Sequence, residues 1–336
     1  MAVDLVTVWF ALVVLCWVLF CVLEGFDFGV GVLAPVLGRD DSERGAVVRT
    51  VGPFWDGNEV WLVAAIGVTF AAFPDWYAAM LSGLYLPFAL FLLLLAGRGV
   101  ALEFRAKGDG LRWRRRCDAA LALCSAGVVA LLGAVLAVLA VGLPLGPDGE
   151  VASRPGALAG LGRSTAPLLS PEAGAGAVLA LLVAVLLGAT FLGLRTTGPV
   201  RERARRVAVR VPLGAAAVAL LVAAAGWTAA GTASAAAAAL VLLAVLAHHR
   251  REAAAFGLAC GLTALAVVLL FTANGDVVLP STLDPAASLT RSSAAATDSA
   301  LRLVSAFAVV VLPGVVAYQA LSYWVFRRRV GSERTA

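Results

Sequence analysis

The sequence predicts an all-α integral membrane protein of nine transmembrane helices, and three observations carry that prediction. Of 336 residues, 61% are hydrophobic and only 14% charged, against roughly 25% charged in a soluble domain. Several apolar runs, Leu81 to Ala96 with its flanks and Ala119 to Leu143 among them, reach the roughly 20 residues with which a helix crosses about 30 Å of hydrocarbon. The basic residues fall almost entirely between alternate runs. A soluble fold cannot absorb so much apolar surface. A membrane β-barrel would alternate apolar and polar residues in segments of about ten, a pattern absent here.

Taken in order, the spans are expected at 6–36, 52–73, 77–97, 118–143, 175–195, 212–231, 234–249, 253–272 and 301–326, in one polytopic domain covering 1–336. The first is too long for the roughly 7 to 15 residue core of a signal peptide and has Asp4 where a basic region would stand, so it is expected to remain as a helix. Between Pro212 and His249 the only turn candidates are Gly231, Thr232 and Ser234. Basic clusters abut both ends of that stretch, so an even number of crossings must lie between them. Two longer connections, 144–174 and 273–300, are expected outside the cell and partly ordered against the helix ends.

With 39–50 placed inside, all but four of the 26 basic residues (Arg154, Arg163, Arg291 and Arg302) lie on one side. The positive-inside rule reads that side as the cytoplasm, with the N-terminus outside and the C-terminus in. The net charge of +5 therefore reports topology and contact with anionic lipid headgroups, at Arg112 to Arg116 above all, and not nucleic acid. Tryptophans near span ends, Trp9, Trp76, Trp113 and Trp324, fit an interfacial belt.

Polar residues inside apolar helices are costly, by a few kcal/mol each when exposed to lipid, and so point to function or to close packing. Glu24 and Asp27 stand three residues apart in Leu23-Glu24-Gly25-Phe26-Asp27-Phe28-Gly29 and share a helix face. A polar niche for protons or a subunit interface is one reading; solvated acids near the headgroups is the other. Gly25 and Gly29 favour close helix contact.

The second cluster is Trp55-Asp56-Gly57-Asn58-Glu59-Val60-Trp61. Asp56 and Glu59 again share a face, and Asn58 supplies both donor and acceptor. Pro53 ahead of it accounts for part of the pattern as a helix start. Two acids, an amide and two tryptophans exceed what a cap requires, and a carboxylate at Asp56 can take a proton from the inner side and hand it inward. Arg98 and Glu103 close the third span; Arg98 either snorkels, pairs with an acid, or serves as a topological signal.

No metal or haem set is apparent. A b-type haem in a bundle takes His or Met axial ligands, yet the only histidines are the adjacent His248 and His249 and the only methionines Met1 and Met80. The five cysteines, Cys16, Cys21, Cys117, Cys124 and Cys260, show no C-x-x-C spacing and read as packing residues. If the chain takes part in redox chemistry, another polypeptide holds the iron.

In order and spacing these motifs resemble subunit II of cytochrome bd quinol oxidases. The likeness is dense from Leu23 to Lys107, including Glu43-Arg44, the Trp55-Asp56-Gly57-Asn58 string, Phe70-Ala71-Ala72-Phe73-Pro74 and Arg98-Gly99 through Arg105. It resumes at Leu279-Pro280-Ser281-Thr282, Ser288-Leu289-Thr290 and Tyr323-Trp324. The resemblance implies two four-helix bundles plus one peripheral helix, packed against a subunit I that carries haem b, haem d and the quinol site and reduces dioxygen. It implies no haem ligated by this chain, a bacterial plasma-membrane location, and a place for Asp56 on a proton route from the cytoplasm, with Glu59, Glu24 and Asp27. Glu24 stands where many relatives have Asp. A structural quinone in this subunit and small accessory subunits are features of some complexes of this kind. Two other readings are a secondary transporter, whose buried acids bind a coupling ion, and a scaffold without a part in proton movement.

Overall fold

The structure, a computed structural model, describes residues 4–331 apart from 109, 148, 153–158 and 225–229. The described residues form twelve α-helices: α1 (Leu5–Leu37), α2 (Asp41–Arg49), α3 (Trp55–Ala72), α4 (Pro74–Gly83), α5 (Tyr85–Phe104), α6 (Leu111–Val141), α7 (Ala159–Thr165), α8 (Pro171–Arg195), α9 (Gly198–Ala224), α10 (Ala230–His248), α11 (Glu252–Thr272) and α12 (Asp298–Val325). A short antiparallel pair, β1 (Val277–Leu279) and β2 (Leu289–Thr290), lies between α11 and α12. Among the described residues, seven helices are long and apolar enough to cross a membrane: α1, α5, α6, α8, α10, α11 and α12. Helix α3 is shorter and carries Asp56, Asn58 and Glu59 in its first turns.

Local chemistry sets the helix starts. Asp4 accepts from Val6 N at 3.1 Å ahead of α1, and Ser170 accepts from Ala173 N at 3.2 Å ahead of α8, with Pro171 in the first turn. Both satisfy amides that a helix start leaves without intrahelical partners.

Helix α1 is the hub, packing on α3, α6, α8 and α11. Its contact with α8 is backbone on backbone: a Cβ on Gly29 would lie 1.8 Å from the Ala184 carbonyl oxygen, and one on Gly188 would lie 2.4 Å from the Gly29 carbonyl carbon. Small residues permit such an approach, and the gain is dispersion between two helix backbones. Along α1 the aromatic core divides in two. Phe10 and Trp17 meet Phe73, Trp76 and Phe271 toward one end, while Phe26 stacks on Phe191 at 4.2 Å toward the other.

The structure departs from the expected spans in three places. The interval 77–97 is not one helix, because the chain leaves helical geometry at Leu84 (φ −121°, ψ 33°) between α4 and α5. Pro87, three residues on, has no N–H to return to Gly83, so it opens a helix and does not continue one. The turn expected at Gly231, Thr232 and Ser234 is helical instead, inside α10; α9 ends at Ala224 and α10 begins at Ala230. Helix α9 begins at Gly198 and runs through Pro212, so the arginine-rich stretch before the expected span is already helical.

The two longer connections are tied together. Leu143 N donates to Pro280 O at 3.0 Å and Thr282 N to Leu143 O at 2.9 Å, while the Ser281 hydroxyl donates to Leu145 O at 2.9 Å. Gly142 makes the joint with φ +119° and with the Pro280 carbonyl where a Cβ would stand. Trp9 and Trp76 are buried in this end of the core, Trp9 donating to the Ser305 hydroxyl at 3.0 Å. Of the four belt candidates, only Trp113 and Trp324 are exposed.

Candidate functional site

Helices α1, α3, α5 and α12 meet in a polar cluster. Arg98 of α5 is 0% exposed, and its Nη1 lies 3.2 Å from Glu24 of α1 and 3.1 Å from Glu59 of α3. The two carboxylate oxygens are therefore no more than about 6 Å apart. The guanidinium sits 4.7 Å from the Phe28 ring centroid and 6.0 Å from that of Trp55, a cation–π setting. Of the alternatives open in the sequence for Arg98, ion pairing is the one that forms. Glu24 is likewise 0% exposed and not a headgroup residue.

One helical turn from Glu24, Asp27 is also buried and its Oδ2 accepts from the Asn58 amide nitrogen at 2.6 Å. The Asn58 carbonyl oxygen in turn accepts from Gln319 Nε2 at 2.6 Å and from the Tyr323 hydroxyl at 2.9 Å. Asp27 Oδ1 has no hydrogen-bonding donor among the described residues. Two carboxyl groups thus share one guanidinium, with a third, Asp27, one helical turn from Glu24, an excess of acids over bases in low-dielectric surroundings.

Asp56 is exposed, one turn before the partly open Glu59 on the same helix; it does not join the hydrogen-bonded cluster. Trp61 is buried in the core and Trp55 half-buried. Gly57 faces α12, where a Cβ would meet Gln319 Oε1 at 3.4 Å, and Gly25 faces Leu187, 2.8 Å from where its Cβ would stand. Glu103 is exposed and makes no ion pair among the described residues. Arg105, two residues later, is the buried member of that motif. Gln319 and Tyr323 were not among the candidate site residues, although Tyr323-Trp324 belongs to the resemblance; nothing local on α12 marks Gln319.

A second charged cluster joins α2, α5, α6 and α9. Asp118 takes Arg44 at 3.0 Å and Arg105 at 2.6 Å, Asp41 takes Arg105 at 2.9 Å and Arg114 at 2.6 Å, and Glu43 takes Arg203 at 2.5 Å. Glu43 also accepts from Arg39 N at 2.7 Å, closing the start of α2. The hydrogen bond from Arg203 holds the Glu43 carboxyl below its usual range against an opposing effect of burial. Burial would raise Asp41, but the bonds from Arg114 and Arg105 outweigh it and lower that carboxyl too.

A depressed folded-state pKa means stability that is complete above the unfolded value of about 4 and is lost as pH falls through the lower folded value. Thermal unfolding of the purified complex should therefore fall in midpoint between about pH 5 and pH 3. Arg203→Met should flatten that dependence; an equally steep profile in the variant would reject the Glu43 contribution.

The two histidines do not form an axial haem pair. His248 and His249 sit on adjacent positions at the exposed end of α10, ring centroids 5.3 Å apart and perpendicular, and cannot face one iron from opposite sides. Among the described residues no three His, Cys, Asp or Glu side chains are grouped to hold a metal. A cavity of about 420 Å³ lies between α1, α3, α4, α5 and α6, lined by Trp17, Leu62, Ile66, Tyr77, Phe88 and Phe91 among others. Tyr77 and Trp17 are the lining side chains with hydrogen-bonding groups, among otherwise apolar ones.

The family model described as cytochrome bd terminal oxidase subunit II matches residues 5–326. The chain is 36% identical over 334 residues to cytochrome bd ubiquinol oxidase subunit 2 of Bacillus subtilis (strain 168), covering 96% of each. Cytochrome bd-I ubiquinol oxidase subunit 2 of Escherichia coli (strain K12) is 35% identical over 215 residues, 63% of this chain and 55% of that one. The solved bd oxidase of Geobacillus thermodenitrificans shares the fold, with a TM-score of 0.64 at 18% identity over 96% of this chain and 98% of that one. With the motifs of α1, α3 and α5 in place and the match running from Leu5 to Phe326, the chain belongs to the cytochrome bd terminal oxidase subunit II family.

Proposed function

We propose that this chain is the haem-free membrane subunit of a quinol:dioxygen oxidoreductase, and that it stabilises the complex and leads protons inward from the cytoplasmic face. Subunit I then carries haem b, haem d and the quinol site. The observation that carries the proposal is the cluster of Glu24, Asp27 and Glu59 around Arg98, with Asp56 exposed one turn away.

A charge-deficient set of buried acids can take up and release protons, because each proton gained relieves an uncompensated anion. Asp56 is the entrance in this reading, Glu59 the next group along the helix face, and Glu24 the acid that shares its guanidinium. Asp27, three residues from Glu24 toward the cytoplasmic end of α1 in an N-out topology, is the member held by Asn58. Arg98 is not a relay group in this reading; it holds two acids within reach of each other.

Nine crossings, with the N-terminus outside and the C-terminus in, follow if α3 and α9 also span. That topology puts Asp56, the Asp41 and Glu43 ion pairs, and the arginines of α9 on one side. Helix α12 is the natural docking face for subunit I: among the spans it is the least covered by its own chain, and it exposes Leu303, Phe307, Val310, Tyr318 and Trp324. It runs beside α3, whose exposed Asp56 makes that face unsuited to lipid alone.

Asp56→Asn in the co-expressed complex should lower quinol-dependent oxygen uptake by about tenfold, with Glu59 left as a slower entrance. Haem content should stay at the unsubstituted level. Full turnover with normal haem would reject the relay and leave a scaffold.

A further inference from the structure

We infer that Gln319 and Tyr323 of α12 are positioning residues that fix which way the Asn58 amide faces, and so what Asp27 is offered. The inference rests on the proton reading of the cluster for its consequence, but not for its geometry. An asparagine side chain presents a carbonyl acceptor at one end and an NH2 donor at the other. Nothing about its shape chooses between the two orientations; only its partners do.

Here the partners at one end are both donors. Gln319 Nε2 at 2.6 Å and the Tyr323 hydroxyl at 2.9 Å face the Asn58 oxygen, so the NH2 must turn toward α1, where it meets Asp27 Oδ2 at 2.6 Å and, more distantly, Leu23 O at 3.5 Å. In that orientation Asn58 supports an ionised Asp27 and leaves Oδ1, which has no donor among the described residues, as the atom that takes the proton. In the reversed orientation the Asn58 oxygen would face Asp27, an arrangement that suits only a protonated carboxyl donating to it. The two donors of α12 therefore bias a two-position amide toward the state in which Asp27 can accept a proton.

Both donors are held in place. The Tyr323 ring stacks on Phe54 at 4.5 Å, Gln319 is one of only two buried residues on α12, and Gly57 leaves room for the Gln319 side chain to reach past α3. A helix that is otherwise barely packed thus makes one of its few polar attachments at the amide beside the buried acid.

The test uses the co-expressed complex with Tyr323→Phe, Gln319→Leu and the double variant. Infrared difference spectra should show the carboxyl band of Asp27, identified by its loss in Asp27→Asn, displaced part way in each single variant and further in the double. Turnover per haem should fall about tenfold in the double variant, as a misplaced relay group loses reactive geometry, while the KM for quinol and the haem content stay unchanged. An unmoved carboxyl band in the double variant overturns the inference, whatever the turnover. Full turnover in Asp27→Asn would instead reject the proton reading, and the band shift would still decide whether α12 orients Asn58.

Discussion

Arg98→Met is expected to destabilise the subunit by about 3–5 kcal/mol, the range found when one member of a buried ion pair is removed. The complex should then fail to accumulate. Its guanidinium is fully enclosed, and its loss leaves Glu24, also fully enclosed, without a cation. Glu59→Gln should cost far less, because the Glu59 side chain is 24% exposed and water can share the burden.

A second substitution separates charge from packing. Glu24→Gln in the Arg98→Met background removes the stranded anion and should recover much of the loss, a non-additivity of the kind expected for groups in direct contact. Yield of assembled complex and its thermal midpoint in detergent are the measurements. Arg98→Met as stable as the parent, or a double variant no better than the single, would show that the cluster is not held by its charges.

Gly29→Ala is expected to separate α1 from α8 and to cost about 3 kcal/mol or more, at or beyond the upper end of ordinary overpacking. The added methyl would fall 1.8 Å from the Ala184 carbonyl oxygen, with the Ala184 carbon and the Gly188 nitrogen close behind. All three are backbone atoms, so no side chain can turn aside and the helices themselves must move. Glu24 and Asp27 lie within five residues on α1, so the polar cluster would be disturbed as well.

Gly67 on α3 is the matched control, since a Cβ there meets nothing within 4 Å. Gly67→Ala should be neutral or gain up to about 1 kcal/mol from helix propensity. Equal thermal midpoints for the two variants would mean that α1 and α8 are not held in backbone contact at Gly29.

The acids were legible early because a spacing of three residues determines helix face without help from the rest of the chain. Glu24 with Asp27, and Asp56 with Glu59, are of that kind. Which neighbours they meet was not legible. Arg98 could have ended at the interface, and Glu103 was the candidate at the end of that span, yet Glu103 is exposed and Arg105 is turned inward to Asp118 and Asp41. The break at Leu84 had a local mark in Pro87, outweighed in reading by the continuous hydropathy of its flanks. The absent turn at Gly231 to Ser234 had the opposite cause: small polar residues that often end a helix are accepted inside α10, next to α9.

By itself the sequence determined the membrane setting, the gathering of the arginines between alternate apolar runs and the helix faces bearing carboxylates. These depend on composition and on spacings of a few residues, which the helical repeat and the hydrocarbon thickness turn directly into geometry. Only the tertiary structure decided that one arginine serves two acids, that α1 and α8 touch through glycine, and that Asn58 is gripped by residues 261 and 265 positions away. Contacts of that range arise when separate helices are packed together, and no local rule of the chain specifies which side chains will then lie opposite each other.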